Sequence, residues 1–311
     1  MSAKILSLGN TYFEIDCLNF PVDKVVVNRE IAGEKYVVYS GGSALNCTRI
    51  CKALGFSTFF VGKIGDDITG RMATQMLEDE GIGFYPIISS EHQTNLALNF
   101  VSDTDGQLIT IAGNASQDLE ASELDEKLNE LLPQVDYLYL GGIFKLKKLL
   151  PSLWEIVATA KKNSSKIVLD HNRLTNKTTE EEKSIMKKVI PVVDYYLPSK
   201  DELMDLYGGD SLDDTVKILT NERKGVSVIK DAENGAIGIR DGKIERVPAF
   251  QVPIHNTVGA GDSFNAGFLR AVEDGLDFSE SIRFANATAA LKISKEELPT
   301  YEEVKNLCQK S

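Results

Sequence analysis

Asn256-Thr257-Val258-Gly259-Ala260-Gly261-Asp262-Ser263-Phe264 is the stretch on which the reading of this chain turns. Two glycines flank an alanine, an acid follows at once, and Phe264, Phe268, Leu269 and Val272 recur at helical spacing. The pattern predicts a glycine turn that feeds straight into a helix over Asp262–Glu273. Such a turn leaves backbone N–H groups without partners at the positive end of a helix dipole, where an anion is welcome. Asp262 is out of place in a plain phosphate cradle. It fits a site that takes a proton from a hydroxyl beside a phosphate.

Outward from this turn, short apolar runs alternate with helix-length segments. Ile5–Leu8, Phe59–Val61, Tyr137–Leu140, Ile167–Leu169, Asp194–Leu197 and Val226–Ile229 read as buried strands. Helices are expected over Ser43–Leu54, Thr69–Glu80, Ala121–Leu132, Pro151–Lys162, Thr179–Val189, Lys200–Tyr207, Leu212–Thr220, Ser279–Ile293 and Tyr301–Gln309. This alternation predicts an α/β fold: one domain over residues 1–311, with a mostly parallel sheet flanked by helices and a site at the carboxyl ends of its strands. Two regions break the alternation. Residues 12–40 carry Val25–Val27 and Tyr36–Tyr39 with little helical pattern. Residues 94–111 read as a hairpin around Asp103-Thr104-Asp105-Gly106. Together they predict a small separate sheet; the plainer alternative is a pair of edge hairpins.

The 311 residues are 42% hydrophobic and 26% charged, as in an ordinary soluble globular protein. A formal net charge of −12 argues against general nucleic-acid binding. No apolar run approaches the ~18 residues of a membrane span, and Met1–Gly9 reads as a first strand rather than a signal peptide. Cys47 and Cys51 share a helix, but His92, His171 and His255 lie far away in sequence, so reduced thiols in a cytoplasmic protein are expected rather than a metal site. The cluster Lys145-Leu146-Lys147-Lys148 reads as a solvated loop or a helix start.

Further segments carry chemistry. Gly41-Gly42-Ser43-Ala44-Leu45-Asn46 pairs glycines that admit a close ligand with an amide able to donate and accept. Asp170-His171-Asn172-Arg173 ends a buried strand with polar groups. Ser199-Lys200-Asp201-Glu202 is a capping box by pattern. Gly62–Gly70 reads as structural.

In order and context these segments resemble the ribokinase-like (PfkB) carbohydrate kinase family, whose late signature reads roughly Asp-Thr-x-Gly-Ala-Gly-Asp. The resemblance covers nearly the whole chain. It implies an ATP- and Mg²⁺-dependent kinase that phosphorylates a primary hydroxyl. Asp262 would be the base, with the Gly259, Ala260 and Gly261 N–H groups around the phosphoryl oxygens. Asn46, Gly41, Gly42, Asn172 and Arg173 would face the substrate, together with Glu14 or Asp16. Thr257, Asn256, Lys230, Gly235 and Asn286 would lie on the nucleotide side, and Glu202 near Mg²⁺ through water. The small sheet would be a lid over the sugar and a contact for a homodimer. A free sugar, ketose or sugar acid is the expected substrate, because Asp170-His171-Asn172-Arg173 is similar to sugar-kinase members, and a sugar phosphate is disfavoured because Ser43 replaces the family's usual lysine. A nucleoside is the alternative, and a catalytically idle sensor of sugar or nucleotide a second. Three departures bear on the site. Ser199 stands for the family's Asn and Ala232 for a glycine of the nucleotide loop. Asn256 stands for an Asp that helps hold a monovalent cation, so weak or absent K⁺ activation is expected.

Overall fold

The structure is a computed structural model that describes residues 2–25, 29–102, 107–209 and 211–309. Among these, thirteen strands form two sheets. The larger contains β1 (Lys4–Gly9), β4 (Ser57–Gly65), β5 (Gly83–Ser89), β8 (Tyr137–Gly141), β9 (Lys166–Asp170), β10 (Tyr195–Tyr196), β11 (Val226–Lys230), β12 (Ala236–Arg240) and β13 (Lys243–Val247). Its order is β13-β12-β11-β10-β9-β8-β1-β4-β5. All neighbours from β5 to β11 run parallel, and β12 and β13 add antiparallel.

The parallel strands are apolar on both sides because helices cover both sides. β8 is buried along its whole length. Its Leu138 and Leu140 face one core layer and its Tyr137 and Tyr139 the other, as a period of two requires. The first layer is closed by α3 (Asp125–Leu131), α4 (Leu153–Lys162), α5 (Glu180–Val189), α6 (Lys200–Tyr207) and α7 (Leu212–Glu222). The second is closed by α1 (Ser43–Ala53), α2 (Ile68–Asp79), α8 (Ala260–Glu273), α9 (Phe278–Ser294) and α10 (Tyr301–Gln309).

The six expected strands and the expected helices are present, with two differences. The segment Ala121–Leu132 is α-helical only over Asp125–Leu131, with tighter turns at Ala121–Glu123 and Leu132–Gln134; Pro133 cannot donate to a continuing helix. Strands β5, β12 and β13 were not expected. Pro86 interrupts β5, and β13 alternates charge with apolar residues, so neither shows a buried run.

The second sheet has the order β3-β2-β6-β7, with β2 (Tyr12–Leu18), β3 (Lys35–Gly41), β6 (Asn95–Val101) and β7 (Gln107–Ala112). β2 joins β6 in parallel, so the two non-helical regions form one sheet rather than two edge hairpins. The expected turn Asp103–Gly106 and residues Val26 and Val27 lie outside the described residues. No helix among those described is long and apolar enough to cross a membrane.

Candidate active site

Two helix N-termini meet at Asp262. Gly259 caps α8 in a left-handed conformation (φ 78°), and Asp262 follows in the first turn. Gly42 (φ 117°) precedes α1, whose first residue is Ser43. Ser43 Oγ donates to Asp262 Oδ1 at 2.5 Å, and the Asn46 side chain bonds the same carboxylate. Asp262 is 8% exposed. Burial, aided by the charge of Asp170, pushes its carboxyl from 3.8 up to about 7 against the pull of Ser43, Lys230 and Asn46.

Beneath the glycine turn lies a closed polar network drawn from four segments. Lys230 Nζ, at the end of β11, donates to Asp170 Oδ2 at 2.6 Å and to Asn265 Oδ1 at 3.3 Å. Asn265 Nδ2 in turn donates to Asp170 Oδ2 at 2.6 Å and to the Tyr139 hydroxyl at 2.9 Å. Burial works against the Lys230 charge, but Asp170 and Glu202 outweigh it and hold the amine above its usual pKa. Gly261 lies next to the amine: a Cβ there would stand 3.4 Å from Lys230 Nζ, in ordinary contact.

The turn retains donors. Ala260 N–H bonds the Thr257 carbonyl and Ser263 N–H the Gly259 carbonyl. The Gly261 and Asp262 N–H groups, in the helix's first turn, have no intrahelical acceptors. Lys292 of α9 passes 3.6 Å from where a Gly259 Cβ would stand, which gives the turn a second neighbouring amine. Asn256 Oδ1 accepts from Val258 N–H at 2.9 Å, so this residue folds back to brace the turn.

The remaining expected nucleotide-side residues do structural work. Glu202 Oε2 accepts from Ser199 N–H at 2.7 Å in a capping box, and Glu202 is 7% exposed, within electrostatic reach of Lys230. Asn286 Nδ2 donates to the Val247 and Pro248 carbonyls, both at 3.1 Å. Gly235 holds φ 92° where a Cβ would strike the Val247 carbonyl, and Ala232 adopts φ 46°. Among the described residues no three His, Cys, Asp or Glu converge as a metal cage. A nucleotide phosphate fits the free N–H groups and amines of the turn; a metal there would need ligands from the nucleotide and water.

On the small sheet, Tyr12, Glu14 and Asp16 share one face of β2. Tyr39 Oη donates to Glu14 Oε2 (3.3 Å) and Asp16 Oδ2 (3.0 Å), and Asn99 Nδ2 to the same pair at 3.2 and 2.6 Å. Both candidate acids therefore belong to one cluster. Glu14 is the inner of the two: a Cβ on Gly41 would lie 1.7 Å from Glu14 Oε1, and burial raises the Glu14 pKa. Asn172 (φ 58°) accepts from Gly142 N–H at 2.6 Å, and Arg173 is exposed.

Ser43 and Lys145 carry site geometry that the sequence did not reveal. Ser43 registered only as a missing lysine. Lys145, expected in a solvated loop or a helix start, ends a tight helical turn, is half-buried and places its ammonium 5.2 Å from the centre of the Tyr12 ring.

A buried carboxylate at a glycine turn and an acid-lined sheet are surfaces that suit a phosphotransferase with an alcohol acceptor. The sequence profile of the pfkB family carbohydrate kinases matches residues 2–302; the chain belongs to that family and is a sugar kinase. The 5-dehydro-2-deoxygluconokinase of Bacillus subtilis (strain 168) is 27% identical, over 98% of this chain and 95% of that protein. The ribokinase of Haemophilus influenzae is 27% identical over 88% of each. The structure of Arabidopsis thaliana ribokinase complexed with ribose and ATP superposes with a TM-score of 0.79, at 20% identity and 100% coverage of both chains.

Proposed function

We propose that this protein transfers the γ-phosphoryl group of ATP, bound with Mg²⁺, to a primary hydroxyl of a small sugar or sugar acid. The observation that carries the reading is Asp262. It is a buried carboxylate at the start of α8, tuned to about 7 and flanked by free N–H groups. A base with that pKa holds and releases a proton near neutral pH.

In this reading Asp262 takes the proton of the attacking hydroxyl, and Ser43 and Asn46 hold its carboxylate in place. The Gly261 and Asp262 N–H groups, with Lys230 below, offset the charge that spreads over the phosphoryl oxygens. Mg²⁺, when bound, would neutralise the nucleotide phosphates, with Glu202 near its water shell. Glu14 and Asp16 accept hydroxyls of the substrate. The small sheet is the lid that excludes water. Sugars are favoured over nucleosides by the names of the relatives, among them a gluconokinase and a ribokinase.

The lid face that carries Glu14 and Asp16 also presents Val37 (39% exposed), Ile109 (49%) and Ile111 (53%). That apolar stretch supports a homodimer through the lid.

The test is a coupled kinase assay over aldoses, ketoses, aldonic acids and nucleosides, on wild type and Asp262→Asn. Turnover on a sugar or sugar acid is expected, and Asp262→Asn should lower kcat by at least ~10²-fold. Near-normal turnover in the variant would remove Asp262 from the chemistry. Tight binding with no turnover by wild type would mark a sensor.

A further inference from the structure

We infer that Lys145 is a specificity residue: its ammonium is the counter-charge for a carboxylate on the substrate, so this kinase prefers a sugar acid to the corresponding neutral sugar. The inference rests on the kinase reading above and adds a residue and a substrate charge to it.

Lys145 ends a short turn, Ile143–Lys145, that leaves the carboxyl end of β8. From there it reaches across to the inner face of the small sheet and lies over the Tyr12 ring, two residues before Glu14 on the same face. It stands in the fields of both Glu14 and Asp262. Burial pulls its pKa down, and those two carboxylates push back. The most enclosed lysines have a carboxylate in contact: Lys63 with Asp118 at 3.1 Å and Lys230 with Asp170 at 2.6 Å. Lys145 has no ion pair among the described residues. The Tyr12 ring and the more distant carboxylates compensate this cation less than a direct ion pair would, and a ligand carboxylate would supply that pair.

The nearby acids select among anions. Glu14 and Asp16 are already engaged by Tyr39 and Asn99. Against Glu14, Asp16 and Asp262 a carboxylate monoanion meets less repulsion than a phosphate dianion, and Lys145 is the cation placed to offset it. The acid end of an aldonic acid and its terminal hydroxyl lie at opposite ends of one carbon chain. The substrate can thus meet Lys145 at one end and Asp262 at the other.

The experiment compares kcat/KM, and affinity by calorimetry, for D-gluconate and 2-keto-D-gluconate against D-glucose and D-fructose, with D-fructose 6-phosphate as the phosphate arm. Proteins are wild type, Lys145→Met, Lys145→Arg, and Lys148→Met as an exposed control in the same basic cluster. Wild type should favour the acids. Lys145→Met should reduce the acid-to-neutral ratio at least ~10-fold, the size of a hydrogen bond to a charged group, mainly through KM or Kd. Lys145→Arg should recover part of that ratio, and Lys148→Met should leave it unchanged. The inference is overturned if wild type prefers neutral sugars or the phosphate, if it binds neither acid, or if Lys145→Met weakens acid and neutral ligands alike. Turnover of neutral sugars that survives such a result leaves the kinase reading standing. A wild type that binds sugars but phosphorylates none defeats the kinase reading alone, because the calorimetric ratio still tests Lys145.

Discussion

Below Asp262, the Lys230 amine, Asp170 carboxylate, Asn265 amide and Tyr139 hydroxyl bond one another into a closed set. Across the chamber, against the small sheet, the Lys145 ammonium has only an aromatic face beneath it and carboxylates at a distance. The first region is complete without a ligand. The second is left incomplete, as a surface that selects a ligand has to be. Chemistry that must be repeated unchanged belongs on a satisfied, rigid floor. Recognition belongs where a guest supplies the missing partner.

The contrast can be broken at several points. The largest stability effect is expected from Lys230→Met. Removing one partner strands Asp170, which is 0% exposed, and should lower unfolding free energy by about 3 kcal/mol in urea titrations. A loss well under 1 kcal/mol would mean the floor is not a cooperative unit.

A smaller effect probes the base. Asp262 must be unprotonated to accept a proton, so kcat should rise with pH through about 7. The Ser43 hydrogen bond lowers that pKa. Ser43→Ala should therefore move the rising limb upward, with a deficit that is largest below pH 7 and fades well above it. A limb that stays in place would separate Ser43 from the base.

The mildest change concerns the rim of the lid. Ile109→Asp places a charge on the exposed apolar stretch beside the substrate acids, and light scattering should report loss of the dimer with the fold retained. A monomeric wild type would remove the lid from assembly altogether.

Legibility followed the same division. The glycine turn, the six buried strands and the Gly41–Asn46 segment were readable because each is a local pattern: a φ requirement, an apolar run, a helix start. The floor was not, because Tyr139, Asp170, Lys230 and Asn265 converge only when parallel strands align their carboxyl ends. Whether Glu14 or Asp16 faces the chamber was undecidable by spacing from Gly9. In the sheet the two lie on one face, since residues two apart share a face and Tyr39 bonds each. Lys145 was misjudged because three lysines within four positions suggest solvent, and sequence carries no signal that one of them is half-enclosed. Strand β13, with Lys243, Glu245 and Arg246, looked like a loop for a related reason: an edge strand has no need of an apolar run.

The borders of the large sheet have a consequence for how copies of the molecule can meet. At one end β5 carries Pro86, which has no N–H to offer a neighbour. At the other, β13 presents charged side chains along an open row of backbone groups. Neither border invites another sheet to add on, so growth into ribbons is discouraged at both ends. Association between copies is left to other surfaces, of which the apolar face of the small sheet is the one proposed above.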